Sequence, residues 1–100
     1  MQKLFLLKPD FQDVNRADGK SYFCPDCAIL EGLLSFYPWL REKLEVHYLD
    51  FSRPRKVLVD LLGEANQSCP VLVLTDGSFI NQPDDIIHYL VDNYQIGHPH

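Results

Sequence analysis

The sequence predicts a single α/β domain, residues 1–100, built as a mixed four-stranded sheet covered by helices. Three observations predict it. Short apolar runs of strand character alternate with segments whose apolar residues recur at helical spacing, in the order β-α-β-α-β-β-α. Proline stands where each of those helices opens, a position at which its missing N–H has no intrahelical partner to lose. An Asp-Gly turn joins the last two strands, while right-handed crossovers make the first two parallel. One hundred residues, 46% of them hydrophobic, are enough for one compact core and too few for two.

Lys3 to Lys8 forms the first strand, four consecutive apolar residues between charges, as suits a central strand buried on both faces. Pro9 to Lys20 is polar and makes an unusually long loop. Long loops beside a reactive site often cover it or select its substrate. A helix opens around Cys24, with Pro25 at its first position and Asp26 complementing the positive end of the dipole. Ile29, Leu30, Leu33, Leu34 and Phe36 form its apolar stripe, and Pro38 ends or kinks it before a short turn at Trp39 and Leu40. Glu45 to Phe51 is the second strand. Ser52 caps the next helix, Pro54 opens it, Val57, Leu58, Leu61 and Leu62 are its stripe, and Gly63 closes it.

Val71 to Leu74 is a buried strand, Asp76-Gly77 a hairpin turn, and Ser78 to Ile80 the returning strand. Gln82-Pro83-Asp84-Asp85 opens the last helix, with Ile86, Ile87, Leu90, Val91 and Tyr94 on its apolar side. The tail from Gly97 to His100 is expected to fray.

Composition excludes some classes of function. A net charge of -5 works against a phosphate backbone, and the one basic cluster, Arg53, Arg55 and Lys56, lies among Asp50, Asp60 and Glu64. Nucleic acid is therefore not an expected partner. No run of about 18 apolar residues is present, so no membrane partner is expected either. Leu4 to Leu7 is too short for a signal-peptide core, and no small-residue cleavage site follows. A cytoplasmic location, with thiols facing a reducing environment, is the expectation. Three cysteines, an odd number, argue against a disulfide-stapled scaffold.

Cys24 and Cys27 are the sharpest chemical feature. Two cysteines separated by two residues across a helix start can close a short disulfide ring. The first thiol faces unpaired backbone N–H groups that stabilise its thiolate, and the second lies one turn inside, more shielded. On that spacing Cys24 attacks a disulfide and Cys27 resolves the mixed disulfide. Asp26 opposes the thiolate, which predicts a reducing pair rather than a strong oxidant. A Cys-x-x-Cys spacing also serves zinc, so metal binding stays open. Pro70 stands at the start of the third strand, where a cis peptide bond is possible. Tyr22 and Phe23 either flank a substrate groove or pack in the core, and Asp84 and Asp85 either hold a ligand or stabilise the last helix. His47 and His88 read as surface or packing residues, and Asp10, Asp13 and Asp18 as solvated loop.

The chain resembles the thioredoxin superfamily over nearly its whole length, and is similar in size and layout to glutaredoxins and the N-terminal domains of glutathione transferases. The resemblance rests on Cys24-Pro25-Asp26-Cys27 after the first strand, on Pro70 before the third, and on the order of elements. It implies a cis-proline at Pro70 beside the dithiol, with Cys69 facing it so that three sulfurs converge. It also implies a role for Asp84 and Asp85 in holding the γ-glutamyl group of glutathione. Asn81-Gln82-Pro83 replaces the usual Gly-Gly ahead of that pair, which weighs against glutathione as a partner. Phe23 replaces the tryptophan usual before the first cysteine in thioredoxins, and with Asp26 and the long loop it marks an uncharacterised branch.

The expected function is thiol–disulfide exchange on a protein or small-molecule thiol or disulfide, with Cys24 as nucleophile and Cys27 as resolving thiol. Pro70 shapes the groove, Phe23 flanks it, and Cys69 contacts substrate or modulates the potential. No bound cofactor is required. Two alternatives remain: a non-catalytic module that binds a protein partner, and a thiolate metal site formed by Cys24, Cys27 and Cys69.

Overall fold

An unbroken apolar run needs protein on both of its faces, and the run at Leu4 lies in the middle of the sheet. In the computed structural model, which describes every residue from Met1 to His100, β1 (Gln2–Leu7) pairs in parallel with β2 (Leu44–Leu49). Its other edge meets β3 (Val71–Val73) antiparallel, with Leu4 opposite Leu72. A hairpin returns from β3 into β4 (Phe79–Ile80), giving the spatial order β2-β1-β3-β4. Gly77 takes φ 91° in that turn, a conformation suited to glycine, and Asp76 Oδ1 accepts the Ser78 N–H at 2.9 Å. The predicted mixed four-stranded sheet is present, in an arrangement compatible with a thioredoxin-like α/β domain.

The strand period of two divides the core into layers. Leu4, Leu6 and Leu72 pack with Cys27, Leu30 and Leu34 of α1 (Pro25–Phe36) and with Ile86 and Leu90 of α4 (Pro83–Tyr94). Phe5, Val71 and Val73 form a second cluster with Leu58 of α3 (Lys56–Leu62). Burying each of these large side chains contributes about 1.5–3 kcal/mol. The tail is tied further than expected: Ile96 is buried, and the Gly97 N–H donates to Tyr37 Oη at 3.2 Å.

Several expectations need correction. Ile29 and Phe36 are 51% and 79% exposed, not part of the buried stripe of α1. Cys27, Leu30 and Leu34 take the inward face, and at about 3.6 residues per turn Ile29 and Phe36 fall on the opposite side. After Pro38 the chain forms a further short helix, α2 (Leu40–Lys43), rather than a turn, and Leu40 is fully buried. The second strand ends at Leu49, and Phe51 lies outside it with its ring stacked on Phe11 at 4.3 Å. Ser52 does not cap α3 and Pro54 does not open it. The Arg53–Pro54 bond is cis, Arg55 precedes the first helical residue, and Val57 and Leu61 stay exposed. No helix is long and apolar enough to cross a membrane.

Candidate functional site

The long loop leaves β1 and is pinned where it returns. Phe11 and Tyr22 exchange backbone hydrogen bonds of 3.1 and 2.8 Å, which places Phe23 and Cys24 beside the end of β1. Asp13 and Asp18 each accept a backbone N–H two residues on at 3.0 Å, Asp10 accepts the Ser21 hydroxyl, and Asp18 also accepts the Tyr22 hydroxyl. These carboxylates brace the loop locally.

Cys24 is the N-cap of α1, with extended backbone (φ -81°, ψ 113°), and Pro25 follows at the first helical position. Its Sγ accepts the Cys27 N–H at 3.2 Å, one of the helix donors that no carbonyl can reach. Cys24 is half-buried. Cys27 is only 4% exposed, and its Sγ accepts the Leu7 N–H at 3.4 Å. Burial pushes the Cys27 thiol well above the usual range, and the hydrogen bond linking it to Cys24 adds to the effect. The Cys69–Pro70 bond is cis, Pro70 is buried, and Cys24 Sγ lies 3.9 Å from the Cys69 carbonyl oxygen. Burial also pushes the half-buried Cys69 thiol up to about 11, with the Arg55 charge opposing.

Arg55 is 8% exposed, and its guanidinium lies over the Phe51 ring at 5.6 Å with backbone carbonyls as its hydrogen-bond acceptors. Nη1 donates to Gln67 O at 2.7 Å, while Nε and Nη2 donate to Phe51 O at 3.2 and 2.6 Å. It therefore ties the end of the β2–α3 loop to the segment that carries Cys69. Burial lowers its pKa, and ionised thiols at Cys69, Cys27 and Cys24 act in the opposite direction.

Cys24 and Cys27 line a pocket of about 230 Å³ with Leu6, Leu7, Pro9 and Ala28. Phe23, 60% exposed, stands at the same pocket, as do Glu31 and Tyr48. Three polar side chains close a ring there. Arg41 donates to Glu31 Oε1 at 2.8 Å and to Tyr48 Oη at 3.0 Å, and the Tyr48 hydroxyl donates to Glu31 Oε2 at 2.8 Å.

The structure thus brings Phe23, Cys24, Cys27, Cys69 and Pro70 to one place. It leaves Asp84 and Asp85 exposed on the first turn of α4, outside the lining of this pocket. His47 stacks on Phe5 at 5.0 Å, a packing role. No three His, Cys, Asp or Glu side chains are grouped so that they could hold a metal ion, so the Cys24, Cys27 and Cys69 metal site finds no support. Sequence reading missed Glu31, although it lies four residues after Cys27 and helical spacing could have found it. Tyr48 arrives through its register opposite Leu6, and nothing local marks Arg55 as buried.

No curated protein and no solved structure matches the chain. A family model does, across the strand, dithiol, proline loop and last helix together. It spans residues 1–98 under the description "Protein of unknown function (DUF3088)", and the chain belongs to that family.

Proposed function

We propose that the protein is a thiol–disulfide oxidoreductase related to the thioredoxin superfamily, acting in the reducing environment of the cytosol on a protein or small-molecule disulfide. The observation that carries the reading is the unequal pair: a reachable Cys24 thiol capping the helix and a buried Cys27 one turn inside, joined through the 3.2 Å contact to the Cys27 N–H. The Cys24 thiolate attacks one sulfur of a substrate R–S–S–R′, forming Cys24–S–S–R and releasing R′–S⁻, which takes up a proton. Cys27 then gives up its proton to solvent and attacks Cys24 Sγ, closing the Cys24–Cys27 disulfide and releasing R–S⁻. The substrate gains two electrons and the pair loses two, and an external thiol reductant returns them. Burial raises the Cys27 pKa and keeps that thiol protonated, which leaves Cys24 as the attacking sulfur. Cys69 and Pro70 back the attacking sulfur, and Phe23 flanks the approach.

The test is a trap. Cys27→Ser in a Cys69→Ser background, mixed with a small disulfide, is expected to accumulate a mixed disulfide on Cys24. With Cys27 restored, the same adduct should resolve to an intramolecular disulfide. No adduct at Cys24 contradicts the reading. A partner-binding module is the second reading, and the exposed Ile29 and Phe36 on α1 favour it. It requires partner binding to survive replacement of both Cys24 and Cys27 by Ser.

A further inference from the structure

The pocket beside the dithiol has a composition and a size that bear on what Cys24 meets. Seven of its nine lining residues are hydrophobic, and Cys24 is part of its wall. Drug-sized ligands fill about 300–1,000 Å³, and this pocket offers about 230 Å³. An apolar cavity of roughly 150 Å³ accepts a benzene molecule. The space therefore suits one ring or one branched side chain, and is too small for a whole peptide or nucleotide. Glu31 is the only acidic residue in the lining and no basic residue joins it, and Arg41 and Tyr48 already engage both of its oxygens. A negatively charged group entering here would lose water, and the cation of the ring, Arg41, is already engaged by Glu31 and Tyr48.

We infer that the substrate carries a neutral apolar substituent, of about the size of an aromatic ring, on the sulfur that Cys24 attacks. This inference rests on the oxidoreductase reading and names its substrate class. In the mixed disulfide Cys24–S–S–R, the group R occupies the pocket formed by Leu6, Leu7, Pro9 and Ala28. Phe23 stands at its side. Release of R–S⁻ on attack by Cys27 then empties the pocket. Shape and desolvation select R, whereas Asp84 and Asp85 lie outside the lining and take no part.

Alkylation of Cys24 tests the pocket without requiring exchange. Cys69→Ser protein, fully reduced, is treated with iodoacetamide, N-benzyl-iodoacetamide or its para-carboxybenzyl analogue, and the rates at Cys24 are divided by those of free cysteine. The benzyl reagent is expected to gain about tenfold over iodoacetamide, the carboxylated one to gain little, and the benzyl rate to saturate with concentration. Ala28→Leu fills the pocket from an exposed helix position that tolerates it, and should return the ratio to that of free cysteine. A wild-type ratio equal to that of free cysteine, or an equal gain for the carboxylated reagent, overturns the inference. If Cys24 and Cys27 form a reversible disulfide yet show no benzyl preference, the inference fails and the oxidoreductase reading stands. A benzyl preference in a protein whose cysteines form no disulfide overturns that reading, and with it the assignment of R to a substrate disulfide.

Discussion

Cys24 Sγ accepts the backbone N–H of Cys27 at 3.2 Å, so the more accessible thiol is also the cap of the helix that buries the other. One hydrogen bond thus joins stability to chemistry. Whatever consumes the Cys24 sulfur changes how the first turn of α1 is held.

The cap has a measurable worth. Cys24→Ala leaves the Cys27 N–H without its acceptor and should cost about 0.5–1 kcal/mol, the lower part of the range for lost N-caps. Cys24→Ser supplies a better acceptor and should match or exceed wild type. Urea denaturation of the reduced proteins gives the order directly. An alanine variant as stable as the serine variant would show that the sulfur does not cap the helix.

Cys69 makes stability depend on alkaline pH. Its folded pKa is raised to about 11, so above the ordinary thiol range the unfolded chain loses this proton while the folded chain keeps it. Stability from this group is complete below about pH 9 and is lost as pH climbs towards about 11. Discounted for solvent at a half-exposed sulfur, the loss should be about 1–2 kcal/mol. Cys27, raised by its own burial, acts in the same direction. Denaturation midpoints of wild type and Cys69→Ala between pH 8 and 11 should diverge by that amount. Parallel curves would contradict the assignment.

Arg55 is a clamp between two loops. Its fork of donors meets the carbonyls of Phe51 and Gln67, and Arg55→Met leaves both without that partner. A loss of about 2 kcal/mol is expected, and Arg55→Lys should recover little, because a single ammonium cannot span both carbonyls. A methionine variant more stable than wild type would mean that burying the charge costs more than its hydrogen bonds return.

The two faces of α1 should respond unequally. Leu30 is fully buried, and Leu30→Ala should cost about 2–5 kcal/mol. Phe36 is mostly exposed, and Phe36→Ser should stay within about 0.5 kcal/mol of wild type. Comparable losses at both positions would show that Phe36 is covered in solution.

Much of this was legible in the sequence, for identifiable reasons. The run Leu4–Leu7 announces a central strand because no other environment suits four consecutive apolar residues there. Asp76-Gly77 announces the hairpin because a positive φ is needed at that turn. The position of Cys24 follows from Pro25 and Asp26. The buried stripe of α1 departs from the apolar spacing because Cys27, a reactive residue, is itself a core residue and rotates the buried face away from Ile29 and Phe36. Pro54 is ambiguous in sequence because proline fits both a helix start and the cis bond found after Arg53. Tyr48 and Arg55 reach the site through strand register and carbonyls distant in sequence, which no local pattern encodes.

The measurement that bears most directly on the central claim is a redox titration of the Cys24–Cys27 pair in glutathione buffers. It uses metal-free Cys69→Ser protein, acid-quenched and read by thiol labelling and mass. A reversible two-electron transition to an intramolecular disulfide is expected, because the Cys24 sulfur already lies on the helix turn that holds Cys27. Absence of that disulfide across the whole range of buffers would contradict the account.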